Sequence, residues 1–185
     1  MRNALCLVIL CFALLLSCKG PEARRPINQQ SGVYIDNSIA RNKKLIELEE
    51  KDIQKAIAQD NSQEYIASPN GFWYTFVKKD TAQITRPQVG DLVSFNYNVK
   101  TLAGTTILTT EEVGKQVYQI DQSNQDLMSG LREGLKLMKP GEIVTFLLPS
   151  HQAYGYYGID GKIGSNVIIR STVTLNEIKT KNEDN

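Results

Sequence analysis

The residues of this chain that could do chemistry are aromatic rather than nucleophilic. Tyr97 lies in an alternating stretch, Tyr118 in another, and Ala153-Tyr154-Gly155-Tyr156-Tyr157-Gly158 forms a glycine-rich cluster. Together they could line an apolar pocket with polar handles, because large rings bury much area and a buried phenol needs a hydrogen-bond partner. Groups for other chemistry are sparse. His151 is the only histidine, and its segment Pro149-Ser150-His151-Gln152 offers no evident partner for a general base, so it reads as a loop residue. No cysteine follows Cys18, no carboxylate cluster has metal-ligand spacing, and no dinucleotide or phosphate-loop glycine motif occurs. Hydrolase and metalloenzyme readings are weak, and neither a metal nor a cofactor is expected.

The chain has 185 residues, 41% of them hydrophobic and 22% charged, enough to bury one ordinary globular core. It opens with Arg2 and an apolar run from Ala4 to Leu16, shorter than the roughly 20 residues of a membrane-spanning helix. Residues 1–17 read as a secretion signal. Leu15-Leu16-Ser17-Cys18 resembles a bacterial lipobox, which makes Cys18 the expected site of lipidation. Two or more acyl chains, at about 0.8 kcal/mol per buried methylene, hold a folded domain stably on a membrane. Cys6 and Cys11 fall within the signal, so the mature chain has no internal disulfide. Loss of residues 1–17 removes only Arg2, so 21 basic residues fall to 20 and match the 20 acidic ones. No net field recruits nucleic acid.

These aromatic residues must be positioned by regular elements. Residues 18–37 are polar and rich in Gly, Pro and Gln, and are expected to form a flexible tether. Between Ser38 and about Asp60, Leu45, Ile46, Leu48, Ile53, Ala56 and Ile57 share a broad stripe, which predicts an amphipathic helix within a 38–67 segment. Spacing leaves open whether that stripe packs on the main domain or on another chain, so the oligomeric state is undetermined. After a Ser68-Pro69-Asn70-Gly71 turn, Phe72 to Lys79 reads as a first strand and opens the main domain, 71–180. In Asp91 to Val99, Val93, Phe95, Tyr97 and Val99 share one face. Leu127, Leu131, Leu135 and Met138 recur at helical spacing, with Gly130 and Gly134 permitting close approach and Pro140-Gly141 expected to stop the helix. Glu142 to Leu148 is apolar on both faces, and Val167 to Ile178 alternates with Val167, Ile169, Ser171, Val173 and Leu175 inward. The expectation is an α+β fold in which an antiparallel sheet wraps one short helix, preceded by an amphipathic N-terminal helix.

Residues 89–178 resemble the FKBP family of peptidyl-prolyl cis-trans isomerases. The anchors are Val89-Gly90-Asp91, the Tyr97 strand, Gly104, Gly130-Leu131-Arg132-Glu133-Gly134, Met138, Gly141-Glu142, and Ala153-Tyr154-Gly155 with Gly158. The leader, lipobox, spacer helix and Tyr156-Tyr157 doublet are also similar to the gliding-motility-associated FKBP lipoproteins. The resemblance implies isomerase activity without nucleophile or cofactor, because the barrier of roughly 18–20 kcal/mol is amide resonance. Taking the prolyl carbonyl out of water and holding the amide twisted lowers it.

By the same resemblance the proline pocket falls on Tyr97, Ile107, Tyr118, Leu127, Met128, Leu131, Tyr154 and Ser171. The Met128 backbone N–H and the Tyr154 hydroxyl would hydrogen-bond the substrate. The sequence departs from the family, which usually has Phe where Ile107 and Ser171 stand, Asp at Leu108 and a large aromatic at Leu131. The family's arginine partner for that Asp falls on Val113 or Gly114, so both charges are gone together. The implied partners are proline-containing exported polypeptides and, through the lipid, a membrane; the implied location is the bacterial envelope, facing the periplasm. A pocket that binds proline segments without useful catalysis, as in a chaperone or a subunit of an envelope assembly, is the competing reading.

Overall fold

The computed structural model describes residues 31–60, 62–81, 84–122 and 126–181, with side chains from 35 onward. The signal, Cys18 and most of the expected tether lie outside the described residues. Helix α1 spans Ser31–Gln59, so it begins within the segment expected to be a tether. Residues 31–39 form its opening turns. From Ala40 onward the chain is one compact body. No described helix is long and apolar enough to cross a membrane.

The α1 stripe differs from the expected one at one position. Ile53 is fully buried and Leu45, Ile46, Ala56 and Ile57 are partly so, but Leu48 is 50% exposed. Glu49 is buried in its stead. Residues 46, 49, 53 and 57 recur every three or four positions and define the packed face, which excludes Leu48.

The sheet has eight antiparallel strands: β1 (Ile66–Ala67), β2 (Trp73–Lys78), β3 (Leu92–Tyr97), β4 (Val99–Thr101), β5 (Thr106–Leu108), β6 (Gln116–Gln119), β7 (Ile143–Leu148) and β8 (Ile169–Lys179). They run in the order β1-β2-β7-β8-β3-β6, with β4 on β8 and β5 on β4. The alternation expected of the Tyr97 strand is present: Val93, Phe95 and Val99 are buried and Tyr97 is half-buried, with a bulge between Ser94 and Phe95 against β8. Strand β8 buries Ile169, Ser171, Val173 and Leu175, while Val167 precedes the strand and is only partly covered. Strand β7 is covered on both faces from Val144 to Leu148, which accounts for its unbroken apolar run.

Two short helices complete the body: α2 (Thr110–Val113), closed by a Thr109/Glu112 capping box, and α3 (Ser129–Leu135). Helix α3 ends before the Pro140-Gly141 turn rather than at it. Tighter turns carry the chain on, with Leu137 N–H bonding Gly134 O and Met138 N–H bonding Leu135 O. Glu142, almost fully buried, closes the turn by accepting the N–H groups of Asp80 (3.1 Å) and Lys139 (2.9 Å). The glycines of α3 do what their spacing predicts. A Cβ on Gly130 would stand 2.6 Å from Leu148 Cδ2, and one on Gly134 2.6 Å from Phe146 Cε1. Only hydrogen at those positions lets the helix lie directly on β7. Leu108 packs against the core where the family carries a charge.

Candidate active site

Two elements of different construction bring the tyrosines together. Tyr97 ends β3, opposite Val173 of β8, with its ring stacked on Phe95 at 5.9 Å and 23°. Tyr154 follows the 3-10 turn Ser150–Gln152. Its neighbours Ala153 and Gly155 both donate their N–H to Ser150 O, at 3.0 and 2.8 Å, and Asn166 N–H bonds Gly155 O at 2.9 Å. Gly155 and Gly158 have φ of +61° and +63°, and a Cβ on Gly158 would collide with the Ile163 carbonyl oxygen. The loop conformation therefore demands glycine at position 158.

The two phenols are electrostatic neighbours. Burial pushes the Tyr97 phenol above its ordinary range. Tyr154 is pushed up further, first by burial and then by the neighbouring Tyr97. Both therefore remain protonated at neutral pH, and each phenol carries an O–H that can donate.

Met128 precedes α3 with non-helical backbone (φ −45°, ψ +131°) and is only 4% exposed. Its carbonyl accepts the N–H groups of Leu131 and Arg132. Among the described residues no acceptor within the chain takes the Met128 N–H, as expected for a donor just ahead of a helix. Gln152 links the two halves: its Oε1 accepts from Ser129 Oγ at 3.0 Å and its Nε2 donates to Asn70 O at 2.9 Å.

Of the residues the sequence pointed to, Tyr118, Met128 and Leu131 belong to the buried core, with Tyr97, Ile107, Leu127 and Tyr154 packed against it. Tyr118 and Leu127 also border an open cleft of about 440 Å³ that runs along edge strand β6 from Gln116 to Gln119. Tyr97, Ile107 and Tyr154 do not line that cleft. Leu131 and Ser171 are fully buried and offer no surface to a peptide in this structure. Ser171 Oγ instead donates to Asn98 O at 2.7 Å, so the hydroxyl pins β8 to the β3–β4 junction. Tyr156 and Tyr157 stand 71% and 89% exposed, their rings edge to face at 5.7 Å. Glu49 and Gln152 were missed. A carboxylate on the apolar stripe of α1 was the available signal for Glu49; nothing local marked Gln152.

The arrangement, two half-buried neighbouring phenols packed against an apolar core, suits an apolar residue whose adjoining carbonyl needs donors. Comparison with known proteins agrees with it. Residues 84–176 match the family model described as FKBP-type peptidyl-prolyl cis-trans isomerase. Human peptidyl-prolyl cis-trans isomerase FKBP9 is 32% identical over 89 residues, covering 48% of this chain and 15% of that protein. The Mip isomerase of Coxiella burnetii is 30% identical over 112 residues, covering 60% of this chain and 46% of that one. The crystal structure of FkpA from Escherichia coli, 21% identical, superposes with a TM-score of 0.58 over 97% of this chain and 82% of that one, a likeness of fold. The chain thus spans less than half the length of either curated relative. Residues 84–176, which carry the tyrosine-bearing sheet and loop, place the chain in the FKBP-type peptidyl-prolyl cis-trans isomerase family.

Proposed function

We propose that this chain is a peptidyl-prolyl cis-trans isomerase that assists the folding of exported proteins at the bacterial envelope. The observation that carries the reading is the pair of neighbouring, protonated phenols Tyr97 and Tyr154 packed against the apolar core. Catalysis of this rotation needs no bond broken. The prolyl ring enters apolar surroundings formed by Tyr97, Ile107, Tyr118 and Leu127, and the amide carbonyl loses the water that stabilises its resonance form. The Tyr154 hydroxyl and the Met128 N–H hold the flanking peptide so that the twisted amide fits better than either planar one. A refolding protein limited by a prolyl bond tests this. Catalytic amounts of the chain should speed its slow phase, which lasts tens to hundreds of seconds uncatalysed. An unchanged slow phase would overturn the enzyme reading.

Full burial of Leu131 and Ser171, where the family usually has aromatic residues, favours one alternative: a pocket that binds proline-containing segments with little turnover. Binding of a proline peptide without acceleration of refolding would establish it.

The envelope location rests on the leader and on Leu15-Leu16-Ser17-Cys18. The finer kinship with gliding-motility-associated FKBP lipoproteins rests on these, on α1 and on Tyr156-Tyr157. Cys18→Ser should leave an unlipidated precursor that no longer partitions with membranes. Undiminished membrane association would sink the anchor.

A further inference from the structure

Glu49 has no place in the isomerase reading so far, yet it is the costliest residue on the packed face of α1. It is 4% exposed, one turn from the fully buried Ile53. Its Oε2 accepts the Ser150 N–H at 2.8 Å, a buried contact between residues 101 apart in sequence. Its Oε1 is buried and, among the described residues, has no hydrogen-bond partner. An apolar side chain at this position would pack as Ile53 does, without desolvating a carboxylate, so α1 carries there a group that packing alone does not call for.

What Glu49 holds explains it. Pro149, at the N-cap of the 3-10 turn, supplies no side-chain acceptor. The Ser150 N–H would then be a buried orphan donor at the start of the turn, and Glu49 supplies the missing acceptor. A carboxylate is the strongest acceptor available for it and opposes the positive end of the turn's peptide dipoles. On its other side Ser150 O takes the N–H groups of Ala153 and Gly155, the two residues flanking Tyr154. A continuous line of hydrogen bonds therefore runs from α1 through Ser150 to the backbone on both sides of the tyrosine.

We infer that Glu49 is a positioning residue through which the N-terminal helix sets the Tyr154 phenol, so that α1 belongs to the active site and is more than a spacer. This rests on the reading that Tyr154 meets the substrate. Displacing an oriented group by about 1 Å can cost up to about a hundredfold in rate. Loss of the clamp therefore acts on turnover more than on peptide affinity, which is spread over the apolar walls.

The test uses the full chain with three substitutions. Glu49→Leu keeps apolar packing and removes the acceptor. Glu49→Gln keeps an acceptor. Ile53→Ala loosens the same helix face without touching the Ser150 bond. Amide hydrogen exchange, read by NMR, should quicken about tenfold or more at Ala153 and Gly155 in Glu49→Leu, while Val173 in β8 is unchanged. Ile53→Ala should leave that local pattern as in the wild type. With a prolyl peptide substrate, at a temperature where every variant is folded, Glu49→Leu should lower kcat about tenfold with KM nearly unchanged, and Glu49→Gln should stay within about threefold of wild type. Ile53→Ala should match wild-type turnover despite a lower denaturation midpoint. If Glu49→Leu does not fold, Glu49→Ala takes its place. Wild-type exchange at Ala153 and Gly155 in a folded acceptor-less variant overturns the inference, as does an equal loss of turnover in Ile53→Ala. If the wild-type chain itself catalyses nothing, the isomerase reading fails, and the exchange measurements alone decide whether Glu49 clamps the loop.

Discussion

The two tyrosines of the site are held in opposite ways. Tyr97 is part of a strand whose neighbours on both sides are paired, β6 along one edge and β8 along the other, and its orientation follows from alternation within β3. Tyr154 sits on a loop without ladder partners, fixed by single bonds that reach distant places: Ser150 to Glu49, Gln152 to Ser129 and Asn70, and Gly155 to Asn166. The strand side is built by repetition, so the loss of one bond is shared among many. The loop side is built by particular contacts, so each has its own effect on where the phenol points. For a reaction that depends on fit to a twisted amide, the rigid side supplies walls and the singly tethered side supplies the adjustable donor.

If the division is real, damage to the rigid half should appear as lost stability and damage to the loop half as lost rate. The largest expected effect is on the rigid side. Gly134→Ala drives a Cβ into Phe146, itself fully buried and edge to face with Phe72 at 5.8 Å. Chemical denaturation should show a loss near the upper end of the roughly 1–3 kcal/mol typical of overpacking. The folded fraction should turn over normally, and a folded Gly134→Ala protein that is slow would break the comparison.

Tyr154→Ala is expected to have a smaller energetic effect but a decisive functional one. Turnover of a prolyl peptide should fall about tenfold or more, equivalent to roughly 1.4 kcal/mol or more of transition-state stabilisation. Stability should change less than in Gly134→Ala, since the side chain is only half-buried. Wild-type rates in this variant would move the site away from the loop.

Much of the fold was legible in the chain because its signals are periodic. Alternation in 91–99 and 167–178 marked two strands by the faces they bury, and the pair Gly130 and Gly134 marked where a helix meets the sheet. Boundaries were less legible. Helix α1 begins at Ser31, ahead of the expected Ser38, because a helix with an established interior extends at one hydrogen bond per residue. At the site, residue type showed that Tyr97 and Tyr154 needed polar partners, though not that the two would be neighbours.

What the sequence determined by itself is whatever depends on neighbours a few positions apart: the strands, the glycines of α3, the turn at Pro140-Gly141 and the aromatic character of the loop. What only the tertiary structure decided is whatever depends on residues far apart in the chain. It withdrew Leu131 and Ser171 from the surface, turned Tyr156 and Tyr157 to solvent, exposed Leu48, and set Glu49 against Ser150. The physical reason is that a side chain's type fixes what contacts it needs, while the partner that satisfies it is chosen by packing of the whole core.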